Sequence, residues 1–446
     1  MRHLSILLFC AGMNCLFFLH VQGQNATELT VEESVKMGLE HNYQLRVAEA
    51  EAEEAEAAYR QTQSGRLPSV TGQASYMRLS DNIPEVSFRP PGSDTTFTIL
   101  PIELNQFHSE VSVEQLLFAG GRLNKQIDAA ENQAESARLM QDQEKANVAF
   151  EIREAYWNLY HAIATNEATK TALAQVDEHL KNVRNRLDAG TALRTDLLSA
   201  QTRRSEVLLD QVDSQNQVRV ARLELNRLIG LSPLEETQPV PPEQSAAVAY
   251  GIDELTEQAL ELRPELGALS RQVNAQEAEI DAKQGEWFPE ISLVGRYVYA
   301  RPNQYFFAQQ DEFRGTWEAG VRLQWNIWSG GQRSAETSRI RARLNSSEAQ
   351  LARMKEQVTV EVTRRYLELE RAAEAIDVAA QSVESAEETF KSAQVQFGEG
   401  TALSEQVLDA EQAFRNAQAS YARAVADFKI AQASILNSLG QVWGEQ

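Results

Sequence analysis

The chain contains almost no cysteine. Its 446 residues include two, Cys10 and Cys15, and both fall near the amino terminus. Residues 1–23 are predicted to be a secretory signal, because Arg2 precedes an apolar run at 4–19 and small residues follow that run. The alternative is a transmembrane anchor, although the run is short for a bilayer span of about 20 apolar residues. The rest of the chain can therefore form no disulfide, thiolate metal site or cysteine nucleophile.

An excess of positive charge is also missing. The chain has 64 acidic residues against 42 Lys and Arg, a formal net charge of -22. Nucleic-acid binding needs a basic surface, so this balance argues against a nucleic-acid partner. Solubility accounts for most of the acidic residues. After the signal, no segment is apolar enough to predict a membrane helix, so a membrane location would require a β-barrel.

Patterns for catalysis and for metal binding are absent as well. The histidines, including His41, His108, His161 and His179, are scattered and lack metal-ligand spacing. The sequence contains no phosphate-binding loop, no nucleophile elbow and no dinucleotide fingerprint. We therefore predict that the protein is not an enzyme and holds no cofactor or metal.

What the chain does contain is an internal duplication. The string at 117–121, Leu-Phe-Ala-Gly-Gly, matches Ile-Trp-Ser-Gly-Gly at 327–331, an offset of 210. Upstream, Pro68 matches Pro289 at an offset of 221, so the first half carries 11 extra residues before Gly120. A repeat of this length is a duplicated half-domain and not a short solenoid unit. The predicted organisation is a first repeat at 24–230, a proline-rich linker at 231–251 and a second repeat at 252–446.

Each repeat is predicted to be mainly helical. Two short helices precede a proline, and a long segment without Gly or Pro follows the Gly-Gly pair. At 1.5 Å per residue, that long segment forms a helix on the order of 100 Å. Apolar residues spaced three and four apart predict antiparallel coiled-coil packing with a returning helix. The predicted helices span 31–41, 43–65, 122–189 and 191–229 in the first repeat, and 253–262, 265–285, 332–397 and 401–439 in the second.

Each repeat also carries a predicted strand pair, at about 70–79 and 107–118 and at about 291–300 and 316–328. Apolar and polar residues alternate along 316–328, and this run is long for a soluble strand but matches a membrane strand of about 9–11 residues. Tryptophans near both ends suit interfacial anchors. The alternative is a half-buried strand of a soluble sheet. The residues predicted to face lipid are Trp317, Val321, Leu323, Trp325 and Ile327.

Four strands cannot close a membrane barrel, whose lower limit is about eight strands. An open sheet would leave its edge groups unsatisfied in lipid, so the chain is expected to oligomerise. Two copies supply eight strands and three copies supply twelve. Helices on the order of 100 Å long cannot lie in lipid, so they are expected to project into an aqueous compartment.

This plan resembles the TolC family of outer-membrane efflux channels. The resemblance covers almost the whole chain after the signal, and rests on the duplication, the Arg-Pro-Glu-Leu string at 263–266, the proline-to-strand junctions and the hairpin from Gly190 to Asp196. The chain departs from the family at Asn42-Tyr43, where the family has Asn-Pro.

The resemblance implies a mainly α fold with membrane β structure: a homotrimer whose 12-stranded β-barrel in outer-membrane lipid continues into a periplasmic α-helical barrel. It implies a passive exit duct for tripartite efflux or type I secretion. The duct would dock onto a periplasmic adaptor protein and an inner-membrane transporter of RND, ABC or MFS type. The alternative is a periplasmic adaptor or coiled-coil scaffold, although adaptors usually carry one helical hairpin flanked by compact β domains.

The resemblance also implies two kinds of functional residue. The hairpin tips would contact the adaptor, and the last helices would narrow the pore. Asp409 and Gln406 fall at the positions of the family's two gate aspartates, and Asp196 is the first-repeat counterpart of Gln406. Three copies of Asp409 would form an anionic, cation-selecting ring. The alternatives are plain helical turns and a solvated helix charge. The predicted docking residues are Gly190, Thr191, Ala192, Leu193, Gly400, Thr401, Ala402 and Leu403.

Overall fold

A computed structural model describes residues 27–84, 86–95, 97–100, 102–242, 251–306 and 311–443. The predicted signal at 1–23 lies outside the described residues, as does the part of the predicted linker at 243–250. Among the helices in the described ranges, none combines the length and the apolar character needed to cross a membrane.

The described chain is built mainly from helices, and each predicted helix is present with ends within three residues of the prediction. Glycines in left-handed geometry precede both long helices, and a proline occupies the first turn of one short helix. The helices are α1 (Val31–His41), α2 (Tyr43–Ser64), α3 (Arg122–Asp188), α4 (Arg194–Ile229), α5 (Ile252–Leu262), α6 (Pro264–Gly285), α7 (Gln332–Glu399) and α8 (Ser404–Ser438). The strands are β1 (Thr27–Leu29), β2 (Ser69–Arg78), β3 (Val86–Phe88), β4 (Phe97–Leu100), β5 (Asn105–Phe118), β6 (Thr237–Pro239), β7 (Glu290–Arg301) and β8 (Arg314–Gln324).

The predicted strand at 316–328 ends earlier than expected, at Gln324. Trp325 and Ile327 are exposed, but they lie beyond the ladder and are not strand residues. The reason is a set of contacts with the helical layer. The Trp325 indole donates to the carbonyl of Trp287 at 3.1 Å, and the Arg333 guanidinium donates to the carbonyl of Asn326 at 2.5 Å. These contacts direct the segment after β8 toward the start of α7.

Four strands form one antiparallel sheet in the order β2-β5-β7-β8, so β5 and β7 join the two repeats. Successive side chains point to opposite faces. The register places Glu110, Arg296 and Glu318 on one, polar face, and it places Tyr297 beside Trp317 on the other, apolar face. Within the described chain, β2 and β8 are edges with one partner strand each.

The helices follow the same order as the strands. Near the sheet, α3 lies between α2 and α6, and α6 also packs on α7. Farther away, α3 lies between α4 and α8, and α8 also packs on α7. The sheet and both helical layers are therefore open rows of four, with first-repeat elements on one edge and second-repeat elements on the other.

The largest buried cluster lies where α1, α3 and α4 meet. Ile152, Leu159 and Leu225 are fully buried there. The Tyr156 hydroxyl donates to the Leu29 carbonyl at 3.0 Å and accepts from the Val240 amide at 2.9 Å. Burial raises the pKa of Tyr156 to about 12, so the hydroxyl keeps its proton and remains a donor. Tyr156 thereby ties both short parallel strands to the core.

The string at 263–266 joins the helices of the second repeat. Arg263 is buried, and its Nε donates to the Ser438 carbonyl at 2.5 Å. Its Nη1 lies 3.1 Å from a carboxylate oxygen of Glu265 and 3.0 Å from one of Glu361. One guanidinium therefore links the start of α6 to α7 and to the end of α8, which is a structural role for the Arg-Pro-Glu-Leu string.

Two repeat-related glycines precede the long helices but have different surroundings. Gly120 has φ 60 and Gly330 has φ 64, so an alanine at either position adopts left-handed geometry, at a cost of about 1–2 kcal/mol. A Cβ on Gly120 would also lie 2.5 Å from the Gly285 carbonyl oxygen and 2.7 Å from Phe288 Cβ, whereas a Cβ on Gly330 would meet no atom within 4 Å.

We expect Gly120→Ala to lower the free energy of unfolding of the monomeric chain by about 1–3 kcal/mol more than Gly330→Ala does, because within one chain only the first overpacks the sheet-to-helix junction. Thermal unfolding of the two purified variants, with the unsubstituted protein as reference, measures the difference. Equal loss of stability in the two variants contradicts this account of the junction.

Candidate functional site

The two hairpin tips have nearly the same backbone structure. Gly190 and Gly400 have φ 75 and φ 81, the left-handed region that ends a helix. The Thr191 amide donates to the Arg186 carbonyl at 2.8 Å, and the Thr401 amide donates to the Gln396 carbonyl at 2.9 Å. Each threonine hydroxyl donates to the same carbonyl as its amide, at 3.1 Å. The repeated Gly-Thr-Ala-Leu sequence therefore specifies one turn twice.

The tips present small and apolar groups to solvent. Leu193 is 68% exposed and Leu403 is 67% exposed, while both glycines and both threonines are exposed and Ala192 and Ala402 are half-buried. A glycine bears no side chain that would keep a partner helix at a distance. The geometry suits close contact with another protein, and the docking role of these residues stays a prediction.

Two of the predicted gate residues have a local structural role that the sequence analysis missed. Asp196 accepts the Leu193 amide at 2.9 Å, and Gln406 accepts the Leu403 amide at 2.9 Å. Each is the third residue of its helix, so each satisfies an amide that the helix leaves free. Gln406 keeps this bond without the negative charge. Asp409 lies on the next turn of α8 and is exposed.

Near the tips, buried polar contacts connect the hairpin of the first repeat to that of the second. His179 Nε2 lies 2.8 Å from Ser404 Oγ, and both residues are buried. The Phe397 ring packs against the imidazole with centroids 4.9 Å apart. The guanidinium carbon of Arg186 lies 4.6 Å from the centroid of the Phe397 ring, and Arg186 also donates to the Gly398 carbonyl at 2.5 Å. These contacts join α3 to α7 and α8.

Ion pairs continue this connection between α4 and α8. Arg203 Nη2 lies 3.4 Å from a carboxylate oxygen of Glu411, which is 2% exposed. Arg415 pairs with Asp210 at 2.5 Å one turn further from the tip. Burial raises the pKa of Glu411, and the two guanidinium groups oppose that rise. Removing either Arg203 or Glu411 alone would leave an uncompensated buried charge, and a loss of this kind typically costs about 3–5 kcal/mol.

The pH dependence of the tips follows from His179. Burial lowers the pKa of His179 to about 4, and the charge of Asp196 opposes the shift. An unfolded chain with a histidine pKa of about 6.5 binds the proton first as pH falls. The neutral imidazole therefore contributes its full stabilisation of the folded state above about pH 6.5, and this contribution is lost as the pH falls from about 6.5 to 4.

We expect acidification through that window to destabilise the unsubstituted protein by up to about 3 kcal/mol more than His179→Gln, since glutamine cannot become protonated. Unfolding temperatures of both proteins between pH 7 and 4 measure this difference, and carboxylate titration affects both equally. Parallel pH profiles of the two proteins contradict the lowered pKa assigned to His179.

Both outer edges of the helical rows carry exposed apolar side chains. On α4, Leu198, Leu209 and Val220 recur every 11 residues, as do Val212 and Leu223. An 11-residue repeat keeps these residues on one face of the helix. The opposite edge, α7, exposes Val360, Leu367, Val378 and Val395. The two stripes lie at opposite ends of the open row.

Within the described part of the chain, no group of three or more His, Asp or Glu side chains is arranged to hold a metal ion. The features brought together at the tips are instead turns, helix caps and buried pairs between hairpins. These features suit mechanical coupling and contact with other proteins.

The comparisons with known proteins agree with this geometry. Residues 35–231 and 255–441 both match the family described as "Outer membrane efflux protein", one match in each repeat. The outer membrane efflux protein BepC of Brucella suis is 24% identical over 90% of this chain and 82% of its own. The alkaline protease secretion protein AprF of Pseudomonas aeruginosa is 23% identical over 75% of this chain and 69% of its own.

Solved channel structures have the same fold. The Campylobacter jejuni outer membrane channel CmeC superposes with a TM-score of 0.77 at 16% identity, covering 98% of this chain and 94% of its own. The structure of CusC gives 0.76 at 20% identity, with 92% of each chain covered.

An open four-stranded sheet continued by long duplicated hairpins defines a protomer of the outer-membrane channel class. The chain belongs to the outer membrane efflux protein family. The predicted resemblance, fold class, outer-membrane location and passive transport role are confirmed by this membership and by the shared fold. The alternative of a periplasmic adaptor or coiled-coil scaffold is thereby set aside.

Proposed function

We propose that three copies of this chain form a closed conduit through the outer membrane, with the helices in the periplasm. The conduit serves as the exit duct for a periplasmic adaptor and an inner-membrane transporter of RND, ABC or MFS type. One observation carries the proposal. The sheet and both helical layers are each an open row of four elements, with a first-repeat element at one edge and a second-repeat element at the other.

Edges of two different kinds favour head-to-tail assembly, which makes a ring when the rotation closes. The β2 edge of one copy can pair with the β8 edge of the next, and the apolar stripe on α4 can pack against the stripe on α7. Three copies supply twelve strands and long helices enough for a continuous wall. Twelve strands lie well above the lower limit of about eight for a membrane barrel.

The two faces of the sheet suit lipid outside and water inside. On the apolar face, Trp317, Val321 and Leu323 are 78%, 66% and 63% exposed in the single chain. Aromatic residues also mark both ends of the sheet, as expected for interfacial girdles. Tyr76, Phe107, Tyr299 and Phe313 form a cluster at the end far from the helices, and Trp287, Phe288 and Trp328 are exposed near the helical end.

The periplasmic end carries the proposed contacts with partners and the proposed gate. The exposed tips at 190–193 and 400–403 would contact the adaptor. Asp409 is exposed on α8, the helix that contacts the first-repeat hairpin through Ser404 and Glu411. Three copies of Asp409 would form the anionic ring, while Gln406 and Asp196 cap their helices beside it.

A planar bilayer under a salt gradient tests this function. We expect purified trimers to conduct, Asp409→Asn to lower the preference for cations over anions, and Gln406→Asp to raise it, because the substitutions remove and add one carboxylate per copy. The aspartate at 406 can still accept the Leu403 amide, so the helix start is preserved. Reversal potentials unchanged in both variants contradict the gate, and trimers that never conduct contradict the conduit.

A further inference from the structure

We propose that Pro302–Tyr305 form an inward constriction at the outer end of the conduit, which limits the size of solutes entering from outside. The inference rests on the proposed function, in which the polar face of the sheet lines the lumen. This segment follows β7 directly, at the end of the sheet remote from the helices.

Burial shows that this segment covers the polar face. Val298 is 7% exposed and Ala300 is 4% exposed, and both share a face with Arg296 and Glu318. The neighbours Tyr297 and Tyr299, on the apolar face, are 50% and 45% exposed. The polar face is the less exposed face along the whole of β7, and at this end Pro302–Tyr305 line the same space as Val298 and Ala300 and add to their cover.

The segment closest to those two residues begins with Pro302 and Asn303, which are themselves buried. Asn303 Nδ2 donates to the Arg314 carbonyl at 2.9 Å and to Thr316 Oγ1 at 3.3 Å, both on β8. Its Oδ1 accepts the Tyr305 amide at 3.0 Å. Asn303 thereby holds the turn against the strand next to the one it leaves.

Tyr305 anchors the other end of the segment deeper in the lumen. Its hydroxyl donates to Glu318 Oε2 at 3.1 Å and accepts from Arg296 Nη2 at 3.4 Å. Arg296 also pairs with Glu318 at 2.5 Å and lies 3.7 Å from Glu110. The phenol is thus seated on a row of charged side chains that crosses β5, β7 and β8.

The space beneath the segment is a cavity of about 520 Å³. Its lining comes from the polar face of three strands and from the segment itself, including Ser75, His108, Arg296, Val298, Asn303 and Tyr305. The segment therefore stands away from the sheet as a shelf supported at Asn303 and Tyr305. Three such shelves around the axis of the trimer narrow the lumen just inside its outer mouth.

Thiol labelling from outside intact cells tests this constriction, since residues 16–446 contain no cysteine. Thr71→Cys places one thiol on the polar face of β2, opposite Ser112 and closer to the helices than Tyr305 is. A series of maleimide-polyethylene glycols of increasing mass must pass the constriction to reach it. Smaller reagents should label Thr71→Cys and larger ones should not.

Combining this thiol with Tyr305→Ala should shift the cut-off to larger reagents, and Tyr305→Phe should shift it less, because the ring stays while both hydrogen bonds are lost. Tyr299→Ala, on the opposite face of the same strand end, is the matched control and should leave the cut-off unchanged. If the size cut-off with Tyr305→Ala equals that of the protein that keeps Tyr305, the constriction is contradicted and the proposed function is not. Failure of even the smallest reagent to reach the thiol in folded protein contradicts the lumenal position of the polar face, and with it the proposed function.

Discussion

The backbone hydrogen-bonding groups on the free edges of β2 and β8 are the constraint on which the rest of the structure depends. In lipid an unpaired amide or carbonyl costs several kcal/mol, so an open four-stranded sheet is not a stable membrane structure. The described chain ends its sheet with one first-repeat and one second-repeat edge, and the helical rows end in the same way. In the proposed head-to-tail assembly, copies that pair their sheet edges also bring the edges of their helical rows together. The duplication thereby gives each copy two edges of different kinds.

The two repeats contact each other along the molecule, through β5 with β7 in the sheet and through α3 with α6 and α8 in the helical layers. At the sheet, β5 and β7 join the repeats through a continuous ladder. At the tips, the buried polar pairs His179–Ser404 and Arg203–Glu411 lie near an apolar cluster that packs Val183 against residues of α7 and α8. Breaking either polar pair would leave an unsatisfied or uncompensated group in the protein interior, which is costly. These contacts hold the two hairpins in a defined relative position at the helical end, as the ladder does for the strands at the sheet end.

Much of the fold could be predicted from the sequence because the signals are local. Glycine and proline mark the ends of the helices, and period-2 alternation marks β8. The predicted end of β8 was wrong by four residues, because Arg333 and Trp287 hold the segment after Gln324 and such side-chain contacts leave no signal in the alternation of apolar and polar residues. The spacing of Asp196 and Gln406 from the tip leucines could have indicated helix capping. The pairing of His179 with Ser404 spans 225 residues and follows only from how the hairpins pack.

The most direct test of head-to-tail assembly is cross-linking between the two free sheet edges. Ala74 on β2 and Ala319 on β8 are exposed, and both lie on the apolar face. Chains carrying Ala74→Cys and Ala319→Cys together should be joined by a flexible bismaleimide into covalent trimers, while either single variant should remain monomeric under denaturing electrophoresis. Covalent dimers from a single variant would show that like edges pair, which contradicts the account.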